Sequence, residues 1–361
     1  MSAPRTPALS RVESAEPSGG SGPIPFSRPP TPSLNAEARY AFVGLGEMGK
    51  RMATNFARSL IGTPHAPLIV YNRGEEGLNN FKKWAASKEV PESAYTVVTD
   101  LKEIGRTAHL IITSIGGDDA IKEVYAQLFA GQEEDESKKQ TIFVDTSTTY
   151  PTLSGQLERD ASSKRGRTFL AAPVFGVPRA AEKAQLIIAM AGDLFAKKVA
   201  SHLLVPAIGK KVMDLGSNVE RAMSFKLVGN SLELGFIELI SECFTLADQA
   251  GVGSEALVEL IREQHSSPAL VRYSERITKN KFDAEGGFNL HGGLTDSKHI
   301  RQLADTYNVP MPTMDVAHQH MITARAQGGE QMDWTALVAG TRIAAGLQPF
   351  AGKTRLEKWE E

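Results

Sequence analysis

A glycine-rich turn between two apolar segments restricts the fold of this chain more than any other feature of its sequence. Residues 39–43 (RYAFV) are typical of a buried strand, and residues 47–60 carry apolar side chains at helical spacing. Between them, residues 44–49 read G-L-G-E-M-G, which fits the pattern G-x-G-x-x-G. A second apolar run at residues 67–71 completes a β-α-β unit. The turn of such a unit can cradle a dinucleotide.

The three glycines of this turn each meet a steric requirement of dinucleotide binding. Gly44 permits a tight turn, Gly46 lets the backbone approach a pyrophosphate, and Gly49 allows the helix to pack closely on the sheet. The N-terminus of the helix then attracts the phosphates. An incidental glycine turn is the alternative, but the surrounding strand, helix and second strand argue against it. The predicted cofactor-binding residues of the turn are Gly44, Leu45, Gly46, Glu47, Met48 and Gly49.

The end of the second strand indicates which dinucleotide is bound. Proteins that bind NAD place an acidic residue here for the ribose 2′-hydroxyl, whereas this chain has Asn72 followed by Arg73. A guanidinium can form charge-assisted hydrogen bonds with a 2′-phosphate. We therefore predict that Asn72 and Arg73 contact the cofactor and that NADP is preferred, with NAD as the alternative. A solvated loop arginine is the other interpretation of Arg73.

The ordered part of the chain divides into an α/β region and a helical region. Strand-like apolar runs at residues 96–98, 110–114, 141–145, 168–171 and 185–191 alternate with helical stretches, which predicts a Rossmann-type, doubly wound parallel sheet. Residues 219–250 contain no proline and too many apolar residues for one narrow stripe, which predicts a long, largely buried helix. We predict a dinucleotide-binding α/β domain at residues 39–215 and an all-helical C-terminal domain for substrate and oligomerisation at residues 216–350.

Composition excludes several other classes of protein. Residues 1–38 hold eight of the 19 prolines and few apolar side chains, so we predict a disordered Pro/Ser-rich tail. A net charge of -2 leaves no broad basic surface for nucleic acid. No apolar run reaches the ~18 residues that span a bilayer, and the N-terminus lacks the apolar segment of a secretory signal. We therefore expect a cytoplasmic protein without nucleic-acid or membrane partners.

Five segments of the sequence together resemble one known family. The first is G-L-G-E-M-G-K-R-M at residues 44–52, with Asn55; the second is D-T-S-T at 145–148, and the third is A-P-V-F-G at 172–176. The fourth is Lys226 with Asn230, and the fifth is Asp296. In this order and spacing, covering residues 39–345, they resemble the β-hydroxyacid dehydrogenase family, which includes 3-hydroxyisobutyrate dehydrogenase, glyoxylate/succinic semialdehyde reductases and 6-phosphogluconate dehydrogenase. The resemblance implies an NAD(P)-dependent oxidoreductase.

The resemblance also implies roles for individual residues. Lys226 would be the general acid/base and Asn230 its partner, since residues four apart lie on one face of a helix. An ammonium with an ordinary pKa of about 10.4 is a poor proton shuttle near neutrality, so we expect burial to lower the pKa of Lys226. A solvated surface lysine is the alternative. The substrate-binding residues implied by the resemblance are Ser147, Phe175, Gly176 and Asp296.

Four departures from the family pattern concern the substrate. Phe175 stands where the family usually has a serine, and Val177 where it has a second glycine. Gly229 replaces the first of two asparagines after the lysine, and Thr295 replaces a lysine that in family members can meet a substrate carboxylate. Lys298, one helical turn after Thr295, is a candidate replacement that the resemblance does not support. We therefore expect a bulkier or less polar carbonyl substrate than a small 3-hydroxy acid.

The leading hypothesis from these features is an NADP-dependent oxidoreductase, similar to 3-hydroxy acid dehydrogenases, that acts on a small-molecule carbonyl or hydroxy acid. A non-catalytic dinucleotide-binding scaffold and an imine reductase are the alternatives. The presence of both Lys226 and Asn230 favours an enzyme over the scaffold, and imine reductases generally lack the catalytic lysine. No metal site is predicted; His299, His318 and His320 are interpreted as structural histidines, and Cys243 as a core residue. The apolar character of the long helix predicts a homodimer or higher homo-oligomer.

Overall fold

The computed structural model describes residue 34 and residues 37–133, 140–265, 267–283 and 287–350. The tail predicted at residues 1–38 lies outside the described residues, apart from Leu34 and residues 37–38. Among the described residues, no helix combines the length and the hydrophobicity that crossing a bilayer requires.

A twisted, mostly parallel sheet forms the first half of the described chain. The strands are β1 (Tyr40–Val43), β2 (Leu68–Tyr71), β3 (Tyr95–Val97), β4 (Leu110–Thr113), β5 (Thr141–Asp145), β6 (Arg167–Ala171), β7 (Val174–Phe175), β8 (Leu186–Gly192) and β9 (Gly209–Asp214). Their order in the sheet is β3-β2-β1-β4-β5-β6-β8-β7, with β9 paired to β8. Strands β1 to β6 run parallel to one another, whereas β8 runs antiparallel to β6 and β7 and parallel to β9.

Helices cover both faces of this sheet. Alternate residues of β1 face opposite cores: Tyr40 and Phe42 pack into one apolar cluster, and Ala41 and Val43 into another. This period of two, with all four residues buried, is what a central strand of a doubly wound sheet requires. The helices of this half are α1 (Glu47–Leu60), α2 (Glu75–Ser87), α3 (Leu101–Thr107), α4 (Asp118–Glu133), α5 (Pro151–Ser162), α6 (Pro178–Glu182) and α7 (Leu194–Leu204).

The second half of the described chain is helical and has its own apolar core. Its longest element is α8 (Val219–Gln249), which spans 31 residues. Asn218 caps its N-terminus, and the Asn218 side chain accepts a hydrogen bond from Glu220 N. The remaining helices are α9 (Ser254–Gln264), α10 (Pro268–Thr278), α11 (Leu290–Thr306), α12 (Pro312–Ala324) and α13 (Val338–Ala344). The predicted fold class, a Rossmann-type sheet followed by a helical region, is confirmed.

The long helix α8 belongs to both halves. Its first buried residues, Val219, Ala222 and Met223, pack into the core on one face of the sheet. From Leu227 onward its buried residues pack into the helical core instead. The predicted domain boundary at residue 215 falls just before this helix. Residues 224–230 of α8 therefore lie where the two halves meet.

Candidate active site

The glycine turn between β1 and α1 is tightly packed at Gly44 and Gly49 but leaves free space beside Gly46. Gly44 has a φ of +97°, in the left-handed region, and a Cβ there would collide with the carbonyl oxygen of Ser114. A Cβ at Gly49 would collide with the carbonyl oxygen of Gly44, so α1 touches the turn directly. Around Gly46, nothing lies within 4 Å of the place where a Cβ would stand. This is the shape that lets a pyrophosphate approach the backbone.

The N-terminus of α1 is open to an anion. Gly46 is its N-cap and has no side chain to accept hydrogen bonds from the first N–H groups of the helix. Lys50 Nζ and Arg51 Nη1 donate to the Glu47 carboxylate, at 2.5 and 2.6 Å. Burial opposes ionisation of Glu47, but these two cations outweigh it and lower the pKa of the carboxyl. Leu45 is buried, and Met48 packs on the core beneath. The turn and the helix end together fit a dinucleotide.

The two residues predicted at the end of β2 have different surroundings. Asn72 accepts a hydrogen bond from Leu45 N at 2.9 Å and donates one to Gly74 O at 2.9 Å, so its side chain ties the strand end to the glycine turn. The side chain of Arg73 is 77% exposed, and its Nη1 lies 3.7 Å from Glu123 Oε2. An exposed ion pair at this distance contributes little. The guanidinium is therefore accessible to an incoming phosphate.

Lys226, Asn230 and Asp296 form a chain of hydrogen bonds where the two halves meet. Lys226 Nζ donates to Asn230 Oδ1 at 3.0 Å, and Asn230 Nδ2 donates to Asp296 Oδ2 at 2.6 Å. A carboxylate can only accept hydrogen bonds, so it fixes the amide group of Asn230 towards itself and leaves the amide oxygen for the lysine. Asp296 on α11 thus orients Asn230, and Asn230 orients Lys226.

Burial shifts the pKa values at both ends of this chain. It lowers the pKa of Lys226, while the charges of Asp296 and Glu233 act in the opposite direction. It raises the pKa of Asp296, against the effects of Lys226, Asn230 and His299. A lysine with a lowered pKa exchanges its proton more readily near neutral pH, as a general acid/base must. The lowered pKa agrees with the expectation from the sequence.

Phe175, at the end of β7, covers the side chain of Lys226, the candidate general acid/base. Lys226 Nζ lies 4.6 Å from the centre of the Phe175 ring, within the range of a cation–π contact. Phe225 packs against the same ring at 5.5 Å in an edge-to-face arrangement. A Cβ at position 229 would collide with the Phe175 ring. Two departures from the family pattern, Phe175 and Gly229, are therefore linked, because the ring occupies the space of a side chain at 229. Gly176, with a φ of +136°, turns the chain after the ring.

Ser147 lies just beyond the end of β5 and is buried. Its Oγ accepts a hydrogen bond from Ile115 N at 2.9 Å, and its own N–H donates to Asp145 Oδ1 at 3.1 Å. Asp145 also accepts from Thr113 Oγ1 at 2.8 Å, and burial raises the pKa of its carboxyl. These bonds connect the loops after β4 and β5. The hydroxyl hydrogen of Ser147 remains for a ligand or for Asp145.

The structure adds a residue that the sequence did not single out for the site. His299 follows Asp296 by three residues on α11, and its Nε2 lies 3.7 Å from Asp118 Oδ2, at the start of α4. Its ring lies 5.8 Å from that of Tyr150, which follows β5. Lys298 is exposed, and Thr295 Oγ1 donates to His291 O. The signal that could have found His299 was its spacing from both Thr295 and Asp296, which places it on their face of the helix.

Comparison with known families agrees with this arrangement. Residues 39–216 match the family model described as the NAD binding domain of 6-phosphogluconate dehydrogenase. Residues 221–340 match the model described as "NAD-binding of NADP-dependent 3-hydroxyisobutyrate dehydrogenase". The two matches together contain all the residues of the turn, of the hydrogen-bonded chain and of the loops around Ser147 and Phe175.

Individual proteins resemble the chain over nearly their whole length. The uncharacterized oxidoreductase YfjR of Bacillus subtilis is 28% identical over 304 residues, 83% of this chain and 98% of its own. The NADH-dependent oxidoreductase ucdB of Aspergillus ustus is 26% identical over 305 residues, 84% of this chain and 99% of its own. The solved structure of Mycobacterium tuberculosis 3-hydroxyisobutyrate dehydrogenase with L-serine superposes with a TM-score of 0.69 at 20% identity, covering 84% of this chain and 99% of that one. At that identity the likeness shows the fold.

Proposed function

Because this chain belongs to the β-hydroxyacid dehydrogenase family of NAD(P)-dependent oxidoreductases, we propose that it interconverts a carbonyl compound and an alcohol with NADP, using Lys226 as the general acid/base. The observation that carries the proposal is the hydrogen-bonded chain from Lys226 through Asn230 to Asp296. It presents an oriented ammonium with a lowered pKa beside Phe175, at the end of β7. In this family of oxidoreductases the nicotinamide supplies or accepts the hydride.

Each residue of the hydrogen-bonded chain has a defined role in this proposal. During reduction, the Lys226 ammonium donates a proton to the oxygen of the carbonyl compound; during oxidation, the amine takes it back. Asn230 holds the ammonium in place through its amide oxygen, and Asp296 keeps that amide from turning over. Phe175 shields the ammonium from water on one side. The glycine turn and the N-terminus of α1 would hold the pyrophosphate.

The preference for NADP rests on Arg73. No carboxylate ends β2, and the arginine that follows Asn72 is exposed and only weakly paired with Glu123. A 2′-phosphate would gain a charge-assisted contact there. The relative ucdB of Aspergillus ustus, 26% identical to this chain, is named as NADH-dependent, so titration with both NADPH and NADH is the test of this preference.

The proposed substrate is a carbonyl compound that is bulkier or less polar than a small hydroxy acid. Phe175 and Phe225 give the surface beside Lys226 an aromatic character, and apolar contact stabilises a ligand by about 25 cal/mol per Å². Thr295 offers no charge to a carboxylate, and its hydroxyl is engaged with the backbone of its own helix. Lys298 lies two positions from Asp296 and is exposed, so it faces away from the hydrogen-bonded chain.

We also propose that the protein forms a homodimer or a higher homo-oligomer through α8. Four large apolar residues of this helix are each more than half exposed: Val228, Leu232, Leu239 and Leu246. Spacings of four and seven residues place them along one face. A second copy of the chain would bury this face.

The experiment that tests the proposed activity measures NADPH oxidation with a matched panel of carbonyl compounds. Succinic semialdehyde and glyoxylate represent small acids, branched and aromatic aldehydes and ketones represent apolar substrates, and cyclic imines test the alternative activity. We expect the apolar carbonyl compounds to have the highest kcat/KM. If the small acids are better by about tenfold, the argument from Phe175 and Thr295 is wrong.

Substitution of the lysine separates chemistry from binding. We expect Lys226→Ala to lower kcat by about 100- to 10,000-fold, the usual contribution of a positioned acid, and to leave NADPH affinity nearly unchanged. Lys298→Ala, which removes an exposed lysine of α11, is the matched control and should keep wild-type activity. Retention of more than about a tenth of the wild-type rate by Lys226→Ala would assign the proton transfer to another group.

A further inference from the structure

Glu233 lies on the face of α8 that carries Lys226 and Asn230. It follows Lys226 by seven residues and Asn230 by three, and both spacings return to the same face of an α-helix. At about 1.5 Å per residue, the Cα atoms of Lys226 and Glu233 are separated by roughly 10 Å along the helix axis. A ligand whose reacting oxygen lies at Lys226 and whose chain follows α8 therefore reaches Glu233.

Tyr273 holds one oxygen of the Glu233 carboxylate and leaves the other free. The Tyr273 hydroxyl, on α10, donates to Glu233 Oε2 at 3.0 Å. Burial raises the pKa of Tyr273, so the phenol remains a hydrogen-bond donor. Glu233 Oε1 accepts no hydrogen bond from the described residues, and it keeps contact with solvent because the side chain is only partly buried. One carboxylate oxygen is thus fixed and the other is open to a ligand.

The charge of Glu233 has no direct partner in the part of the chain that the structure describes. No nitrogen of a described lysine, arginine or histidine lies within 4.0 Å of its oxygens. The neighbouring cation, Arg272, instead stacks on the Tyr273 ring, with its guanidinium carbon 4.7 Å from the ring centre. Asp296 already acts on the charge of Lys226. The negative charge of Glu233 therefore remains for a ligand.

Aromatic rings lie beside the path from Lys226 to Glu233. The Phe175 ring occupies the space beside Gly229, which precedes Glu233 by one helical turn, and Phe225 packs edge-to-face on that ring at 5.5 Å. Aromatic faces attract cations, as the Phe175 ring does for Lys226 Nζ at 4.6 Å. A quaternary ammonium group has an apolar surface and a positive charge, so it suits aromatic rings and a carboxylate together.

We propose that Glu233 determines the substrate class of this site: it binds a positively charged group, best a bulky ammonium, at the end of the substrate remote from the carbonyl. This inference rests on the proposed function, since it places the carbonyl oxygen at Lys226. It also adds a reason, separate from Thr295, to expect small acids to be poor substrates, because the charge of Glu233 repels a carboxylate at that end.

Three aldehydes that differ in charge test the inference on the full-length protein. 4-(Trimethylammonio)butanal carries a cation, 5,5-dimethylhexanal has the same shape without charge, and succinic semialdehyde carries an anion. With NADPH, we expect kcat/KM for the cationic aldehyde to exceed that for its neutral isostere by about 10- to 100-fold, the usual effect of one charge-assisted contact. Equal values for these two aldehydes would overturn the inference. A preference for succinic semialdehyde would also overturn it, and would assign the remote end of the substrate to Arg272.

A substitution that removes only the charge tests the role of Glu233 itself. Glu233→Gln keeps the size of the side chain and an oxygen for Tyr273. The ratio of kcat/KM for the cationic aldehyde to kcat/KM for its neutral isostere should fall by about 10- to 100-fold, mainly through KM. Glu242→Gln, at an exposed position of the same helix, is the control and should keep the wild-type ratio. If Glu233→Gln also keeps that ratio, Glu233 serves only as the acceptor for Tyr273 and the inference is wrong.

A binding measurement separates failure of this inference from failure of the proposed function. The alcohol 4-(trimethylammonio)butan-1-ol cannot react in the presence of NADPH, because the cofactor is already reduced. Calorimetry should show that it binds about 10- to 100-fold more weakly to Glu233→Gln than to wild type. Equal affinities, or no binding to either protein, contradict the inference whatever the activity. Weaker binding to Glu233→Gln, in a protein that reduces none of the aldehydes, supports recognition by Glu233 and contradicts the proposed function instead.

Discussion

At the scale of single residues, Gly229 and Phe175 depend on each other, because the phenyl ring occupies the space of a side chain at 229. We predict that Gly229→Ala destabilises the protein by about 1 to 3 kcal/mol through overpacking, although alanine is the better helix former. In a Phe175→Ser background the same change should stabilise by up to about 1 kcal/mol. Urea unfolding of the single and double variants measures the coupling.

A second glycine of α8, Gly235, provides the control for this double-mutant comparison of Gly229 and Phe175. A Cβ at Gly235 would meet Met314 Cε at 3.6 Å and Thr313 Cγ2 at 3.9 Å, which are ordinary van der Waals contacts. Gly235→Ala should therefore stabilise by about 0.5 to 1 kcal/mol in both backgrounds. If Gly229→Ala behaves in the same way as Gly235→Ala, the ring does not restrict position 229.

Arg73 carries the second prediction at this scale. We expect Arg73→Ala to weaken NADPH binding by about 10- to 100-fold, the equivalent of one charge-assisted contact of about 1.5 to 3 kcal/mol, and to leave NADH binding almost unchanged. Glu123→Gln should strengthen NADPH binding slightly, because it removes the competing carboxylate. Lys198→Ala, at an exposed position of α7, is the control. Fluorescence titration with both cofactors measures these affinities, and a wild-type protein that binds both equally contradicts the role of Arg73.

The residues of the site differ in how visible they are in the sequence. Lys226, Asn230 and Asp296 were found through the resemblance to the family, and the structure brings their side chains into hydrogen-bond contact. His299 was interpreted as structural, because its spacing from Asp296 places it on one face of a helix but does not indicate which residues of other elements it meets. Its partners Asp118 and Tyr150 lie 181 and 149 positions earlier in the sequence. Only the folded chain shows that they meet.

At the scale of elements, the buried strands and the long helices follow from the sequence. The strands β1, β2, β4 and β5 are apolar runs whose residues are almost all buried, and α8 ends within one residue of its predicted limit. The sequence analysis did not identify β9 or α10. β9 contains the exposed Lys210 and Lys211, so it lacks the continuous apolar run of its neighbours. It forms because β8 offers it a parallel partner, which is a tertiary effect.

Helix α12 carries two histidines with opposite pH behaviour. A hydrogen bond to Glu238 raises the pKa of His320, although burial opposes this. Burial, with help from nearby cations, lowers the pKa of His318. The contribution of His320 to stability is therefore present below the unfolded pKa of about 6.5 and is lost as pH rises through the folded value. The contribution of His318 to stability is present above the unfolded pKa of about 6.5 and is lost as pH falls through the pKa of His318 in the folded protein.

Two variants of α12 test this prediction against each other. His320→Gln should reduce the free energy of unfolding more at about pH 5.5 than at about pH 8, and His318→Gln should do the reverse. Denaturant unfolding at several pH values measures both slopes. Slopes of the same sign would contradict the assignment of the two environments.

At the scale of the whole molecule, the exposed apolar face of α8 predicts self-association. We expect the wild-type protein to sediment as a dimer or a larger assembly, since stable interfaces bury more than about 1,000 Å² and this face is continuous along the helix. The pair Leu232→Glu and Leu239→Glu should produce monomers. Leu260→Glu, at an exposed position of α9, is the control and should not change the sedimentation coefficient. A monomeric wild-type protein contradicts the prediction.

Because α8 forms part of both cores, the two halves have no flexible joint between them. Hinged enzymes open at a few loop residues that absorb large changes in φ and ψ, but here the chain passes from the sheet to the helical half inside a continuous 31-residue helix. Swinging the halves apart would break backbone hydrogen bonds of that helix or pull Val219, Ala222 and Met223 out of the sheet core. We therefore expect a ligand of the candidate site to enter without the two halves swinging apart.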